Sequence, residues 1–322
     1  MKTTNLLLTL IIILSAFLFS CSKKQTNNTA TTRPTYSSMD SIFSMLSVQP
    51  KTLSVDAVNG GSYYGNSGTR YIFYGNSFMT AAGGSVTGTV QIQVSEYLQK
   101  GDMLFSKMLP ISNNEPLLSG GEINVSATQN GQPVYLQPYN YFQANLPQPG
   151  TPDTAMKFFS GQPTLDTTQF KTNWIGAVAD SNHYFSGFVE EIAAGGDTLS
   201  IISDSLKECN ADYFMTSPNF QTFTVTITVT GATLPSTGKP YGYTLYDNYK
   251  GEWPLGEIGS YSNGIFTEEH VPNIPVHFAV FTLINGNFYG GTLGATPTTG
   301  SNYTVMLNLV DATVFKAQLN AL

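Results

Sequence analysis

The segment Phe220 to Thr230, FQTFTVTITVT, alternates without a break from Thr222 on. Phe223, Val225, Ile227 and Val229 fall at every second position, and five threonines take the places before, between and after. An apolar period of two sends one face of a strand into a core and the other into water. It cannot make an amphipathic helix, whose apolar stripe repeats near every 3.6 residues. Val86 to Val94 (VTGTVQIQV) has the same period, with Val86, Gly88, Val90, Ile92 and Val94 set against Thr87, Thr89, Gln91 and Gln93. Val276 to Ile284, Asn285-Gly286 and Asn287 to Leu293 read as a hairpin, because Asn-Gly accepts the left-handed backbone of a two-residue turn. Tyr303 to Val310 is a further strand, and glycine pairs at 60-61, 83-84, 120-121, 195-196 and 290-291 punctuate the chain as turns would. Helix is scarce, with Thr198 to Cys209 and Thr313 to Leu322 as the best candidates. The chain is therefore expected to be mainly β, with two consecutive antiparallel β-sandwich domains rather than a barrel. Between Cys209 and Asn219 a helix candidate ends, Ser217-Pro218 breaks the chain and the strong strand begins. That places a first domain at 46–214 and a second at 215–322.

Charge narrows the function classes. Only 11% of the 322 residues are charged, against about 25% in an average soluble protein. With 14 basic and 21 acidic residues, the chain lacks the basic surface that a nucleic-acid partner would require. Two cysteines, Cys21 and Cys209, can build neither a disulfide framework nor a structural zinc site. No cofactor is expected.

Residues 1–21, MKTTNLLLTLIIILSAFLFSC, carry Lys2 and then a 14-residue apolar stretch, Leu6 to Phe19. The stretch is shorter than the roughly 20 residues of a membrane span and fits the apolar region of a signal peptide, here 1–20. Its end, Leu18-Phe19-Ser20-Cys21, resembles the bacterial lipobox, with Phe19 bulkier than the usual small residue at that place. The resemblance implies that Cys21 becomes the first residue of a mature lipoprotein and carries the acyl anchor that holds it to a membrane. Residues 21–45 follow as a Thr- and Asn-rich flexible tether, too poor in apolar residues to offset the entropy of ordering it. Ser22 is not the aspartate that retains enterobacterial lipoproteins at the inner membrane, which points to the outer membrane. Lys23 and Lys24 stand where surface-exported lipoproteins carry acidic residues, which favours the periplasmic face.

The stretch from Val86 to Pro138 holds a strand, a glutamate, then GDM at 101–103, LLSGGE at 117–122 and NGQ at 130–132. It is followed by MKFFSGQ at 156–162, NWIG at 173–176 and CNADYF at 209–214. This pattern is similar to a module of extracytoplasmic lipoproteins of Bacteroidota, itself like the β-sandwich of ankyrins and netrin receptors. Residues 220–322 look like a transthyretin-like or immunoglobulin-like domain. The resemblance implies an interaction module and brings no catalytic residues with it.

Candidate chemistry is sparse. Of the three histidines, His270 and His277 beside Glu268 and Glu269 carry metal-ligand chemistry, but Pro272 and Pro275 interrupt them and an exposed loop is expected. His183-Tyr184-Phe185-Ser186 is a poor match to a self-cleaving His-Phe-Ser step. Neither G-x-S-x-G nor H-E-x-x-H occurs, and Glu190-Glu191 would point to opposite faces of a strand. Glu96, Asp102 and Glu122 read as salt-bridging or turn-capping groups, and Cys209 as a buried thiol. The aromatic clusters VYLQPYNYF and YGYTLYDNY are different. Exposed rings stack on apolar sugar faces, so Tyr135, Tyr139, Tyr141, Tyr243 and Tyr246 are candidate glycan contacts, although alternating tyrosines are also ordinary strand residues. Five of the eleven aspartates precede Ser or Thr in the manner of the Bacteroidota O-glycosylation motif, which marks Ser41, Thr154, Thr167, Thr198 and Ser205. Capping at turns and helix starts would favour the same pairs. The sequence thus leads to a lipid-anchored, non-enzymatic interaction or assembly module of the cell envelope. A glycan-binding lipoprotein is the alternative, and a hydrolase without a recognisable motif a third reading.

Overall fold

A computed structural model describes residues 34–164, 170–176, 190–195, 197–215, 219–235, 239–248, 250, 252–254 and 261–322, with backbone alone for 190–195 and 252–254. Thr35–Leu322 forms one compact unit. After helix α1 (Met39–Leu46) come β1 (Lys51–Asp56), β2 (Gly60–Tyr64), β3 (Arg70–Tyr74), β4 (Phe78–Thr80) and β5 (Thr89–Tyr97). Helix α2 (Lys100–Ser106) leads to β6 (Ile111–Ser112), β7 (Glu115–Gln129), β8 (Gln132–Leu136), β9 (Phe142–Pro147) and β10 (Lys157–Pro163). Then follow β11 (Thr172–Gly176), β12 (Glu190–Gly195), β13 (Thr198–Ser203) and β14 (Glu208–Phe214). The second half comprises β15 (Phe220–Val229), β16 (Tyr241–Tyr246), β17 (Glu252–Pro254), β18 (Tyr261–Ser262) and β19 (Ile265–Pro272). It closes with β20 (Val276–Ile284), β21 (Asn287–Ala295), β22 (Asn302–Leu309) and α3 (Ala312–Asn320).

The chain is mainly β, in a two-domain, sandwich-type arrangement of two sheets. Strands β1 to β14 make the first sheet, whose main path runs β11-β10-β14-β7-β5-β1-β2-β3-β9-β13-β12. Its far ends return to one another, β12 against β10 and β13 against β14, so one sheet wraps a core of Val55, Tyr71, Phe73, Ile92, Ile123, Phe142 and Ile201. Strands β15 to β22 make the second sheet, in the order β17-β16-β20-β21-β22-β15-β19-β18. The alternating segment behaves as its pattern requires, with Phe223, Val225 and Ile227 buried on β15 and its threonines outside the core. The hairpin forms too, with Asn285 at φ 51° and Gly286 at φ 77° in the turn.

Four details differ from expectation. First, the pairing is not wholly antiparallel, since β15 runs parallel to β22, Val225 facing Tyr303 and Ile227 facing Val305. Second, Thr198 to Cys209 is not a helix. Leu199, Ile201 and Ser203 are buried at every second position and lie against Leu146, Ala144 and Phe142 of β9, so the period is two and the residues belong to β13 and the start of β14. Third, β5 begins at Thr89, because Gly88 at φ 79° breaks the strand, and runs on to Tyr97. Fourth, the expected tether does not extend to residue 45. Helix α1 is closed by a capping box between Ser38 and Ser41 and buries Ile42, Phe43 and Leu46 in the second core.

That second core draws on all three described helices: Ile42 and Phe43 of α1, Leu104 and Phe105 of α2, Phe315 and Leu319 of α3. The GDM segment makes the joint. Asp102 pairs with Lys316 at 2.7 Å, and its backbone N–H donates to Asn320 Oδ1 at 3.2 Å. A Cβ on Gly101 would lie 2.5 Å from Asn320 Oδ1 and 2.7 Å from the Lys316 carbonyl oxygen. Gly101→Ala would gain about 1 kcal/mol of helix propensity but must push α3 away, and the fixed carbonyl cannot swing aside. We expect a net loss of about 1–2 kcal/mol from overpacking, read as a lower urea midpoint. An unchanged midpoint would mean that α3 yields freely.

Candidate functional site

Two of the candidate tyrosines are not available to any ligand. Tyr243 is 2% exposed and stacks on Phe281 with ring centroids 6.0 Å apart at 15°, while Tyr246 is fully buried and burial raises its hydroxyl pKa. Strand β16 lies between β17 and β20 with both faces covered, and residues 242–246 are all buried. Alternation alone does not distinguish such a strand from one with a wet face.

The other three are close in the chain, Tyr135 on β8 and Tyr139 and Tyr141 in the loop that leads to β9. Tyr135 projects outward from β8 between buried Val134 and Leu136, and is 46% exposed. Tyr141 meets Tyr74, at the end of β3, edge to face with centroids 5.0 Å apart. Burial, then the hydrogen bond to Tyr141, raises the Tyr74 hydroxyl pKa. Tyr74 was missed in the sequence because it closes the strand RYIFY, where an aromatic reads as core. The loop before Tyr141 is pinned to the loop after Tyr74: Gln137 N–H donates to the Ser77 carbonyl at 2.7 Å, and Ser77 Oγ to the Tyr74 carbonyl at 2.6 Å.

Tyr139 stands apart in its backbone. Asn140 N–H donates to the Gln137 carbonyl at 3.0 Å, closing a turn with Pro138 at its second position and Tyr139 at its third. Tyr139 has φ 66°, in the left-handed region that such a turn usually gives to Gly or Asn, and its ring is 79% exposed. A bulky side chain there costs about 1 kcal/mol or more, and burial returns little to a ring held in water.

The carboxylates of the resembling segments are structural. Glu96 is buried and accepts from Ser67 N–H at 2.7 Å and Thr69 N–H at 3.1 Å. In LLSGGE, Gly121 at φ 135° forms a bulge where the β7–β14 register shifts, and Ser119, Glu122, Asn210 and Asp212 make a buried polar row. Ser119 Oγ donates to Asn210 Oδ1 at 2.9 Å, and Asn210 Nδ2 to Glu122 at 3.2 Å and to Asp212. Complete burial raises the Asp212 carboxyl pKa well above its usual range.

His270 and His277 occupy strands β19 and β20 rather than an exposed loop, because Pro272 ends one and Pro275 precedes the other. His277 Nδ1 pairs with Asp247 at 2.5 Å, and His270 lies 3.7 Å from Glu268. Among the described residues no three His, Cys, Asp or Glu side chains gather to hold a metal. Cys209 is fully buried.

Of the glycosylation-like positions, Ser41 bonds to Ser38 within the capping box, Thr198 opens β13 and is half-buried, and Ser205 sits half-buried in a turn tied to Ser203. Thr154 is exposed in a turn where Asp153 caps Ala155 N–H at 2.8 Å. Thr167, Cys21 and the His183–Ser186 step lie outside the described residues. No described helix is long and apolar enough to cross a membrane. The chain matches no protein-family model, no curated protein and no solved structure.

Proposed function

We propose that this chain is a lipid-anchored, non-enzymatic binding module of the cell envelope, held through Cys21 at the periplasmic face of the outer membrane. It presents the exposed rings of Tyr135 and Tyr139, with the Tyr74–Tyr141 pair, to its partner. The observation that carries the reading is Tyr139. An aromatic ring displayed to water from a left-handed backbone costs folding energy and gains no packing, which is the pattern of a contact residue. The lipobox-like end at Cys21 and the resemblance to an envelope interaction module support the same reading.

The test places a photocrosslinking residue at 139 in the full lipidated chain within its native envelope. A specific protein adduct, absent when the residue is placed at exposed Ser54, is the expected result, and no adduct above that control would defeat the proposal. A second reading, in which the partner is a glycan, is favoured by the exposed rings of Tyr135 and Tyr139. A polysaccharide adduct would select it. Tyr139→Gly separates contact from fold: it should raise stability by about 1 kcal/mol, because glycine accepts this backbone without strain, and abolish capture. A variant that loses stability would show that the ring supports the fold instead.

A further inference from the structure

A cleft of about 940 Å³ opens where the two sheets meet. Its floor is the LLSGGE bulge, and its walls bring Gln148 and Asp153 from the first half together with Asp247 and Lys250 from the second. Leu98 and Met156 add apolar surface, while Asn66, Gln99 and Asn320 add neutral polar groups. That volume and mixture suit a small molecule. The shape is held in place, since the Gly120 carbonyl accepts from Gln148 Nε2 at 2.9 Å and α2 is locked to α3 beside it.

The charged groups in the wall differ in what they have left to offer. Asp247 is engaged by His277, and Asp153 caps its own turn. Lys100 donates to the backbone oxygens of Leu322 at 3.0 Å and Asp247 at 3.4 Å. Lys250 is different. Among the described residues its ammonium makes one hydrogen bond, to the Gly120 carbonyl at 2.8 Å, and has no carboxylate within ion-pair distance. An ammonium has three donors, so two remain. Leaving a cation unpaired in a largely desolvated place is costly, and burial draws this lysine down to about 8. An anion in the cleft would relieve that cost. Asp153 and Asp247 in the same wall oppose a dianion such as phosphate, and the neutral polar groups suit hydroxyls.

We propose that the cleft binds a small hydroxylated monocarboxylate of the uronic acid class, with Lys250 as its ion-pairing residue and Gly120 and Gln148 fixing the floor beneath it. The site is separate from these tyrosines, so either can fail alone.

The test is calorimetric titration of the full chain with D-glucuronate, with D-glucose as the neutral control. At about pH 7 we expect glucuronate to bind at least tenfold more tightly than glucose, and Lys250→Gln to remove at least that tenfold difference. Raising the pH to about 9.5 should weaken glucuronate by about tenfold as the lysine loses its proton, and binding near pH 8 should take up protons from the buffer. Lys250→Arg, which keeps its charge, should bind and lose the pH step, and it serves in place of Lys250→Gln should that variant fail to fold. Equal affinity for the two sugars, absence of heat with glucuronate at about 10 mM, or a pH-independent affinity in the unaltered chain would overturn the assignment.

Discussion

Phe281→Ala is expected to lower the free energy of unfolding by about 3–5 kcal/mol, the range for a large aromatic removed from a packed core. The ring is fully buried and stacks on Tyr241 with centroids 5.6 Å apart at 9°. It also lies 6.1 Å from Phe43 of α1, 5.4 Å from Phe105 of α2 and 5.7 Å from Phe315 of α3. One side chain thus touches α1, α2, α3 and the second sheet. The cavity is poorly placed to collapse, because each neighbour is itself held by another element. Phe281→Leu, which keeps most of the volume, should cost about 1.5 kcal/mol or less. Guanidinium unfolding of both variants measures the difference. A loss below about 1 kcal/mol for Phe281→Ala would show that the site relaxes and that the helices are not joined through this ring.

Asp212 should make the protein lose stability as pH rises. Burial raises its carboxyl pKa in the folded chain, so the fold keeps a proton that the unfolded chain has released. The unfolded side chain titrates near about 3.9. Below that value both states are protonated and the carboxyl has no effect. From there up to the raised folded value, stability falls by as much as about 1.4 kcal/mol per pH unit, and above it the full penalty stands. Asp212→Asn removes the titration and leaves an oxygen to accept from Asn210 Nδ2, as Asp212 now does. The variant should be more stable than the parent at neutral pH, with the difference shrinking as the pH is lowered toward 4. Parallel pH profiles for the two proteins would sink this reading. The comparison isolates Asp212 from outward carboxylates such as Asp56, whose pKa the Asn59 side chain and nearby backbone amides lower.

Strands with one wet face were readable directly. Phe220 to Thr230 and the Asn285-Gly286 hairpin follow their sequence closely, because alternation and turn chemistry are local properties. Strands whose apolar alternation is interrupted were not. TLSIISDSLKEC carries enough apolar residues for either period, and only the pairing of Leu199 with Leu146 shows which applies. Burial of Tyr243 and Tyr246 likewise depends on partners distant in sequence, while Tyr135 and Tyr139 beside Pro138 already had turn residues around them. The cleft could not be read at all. Lys250 follows one tyrosine among several, and its burial arises only when residue 120 comes within 2.8 Å across 130 positions of chain.

The docking of α1 has a consequence for how the molecule is made. Tyr36 N–H donates to the Gly286 carbonyl at 2.8 Å, and the ring of Tyr36 meets Phe288 edge to face. The earliest described residues are therefore completed by the β20–β21 hairpin. During synthesis, Ile42 and Phe43 leave the ribosome some 240 residues before Phe281 and Phe288, at roughly 5–20 residues per second. For at least ten seconds or so the α1 face has only the cover that α2 gives, through Phe105 against Phe43, and lacks the second sheet and α3, whereas the first sheet can close strand by strand behind it. An apolar helix exposed for that long is a natural client for a holding chaperone. For the same reason residues 215–322 expressed alone would lack two of the three described helices that seal their core.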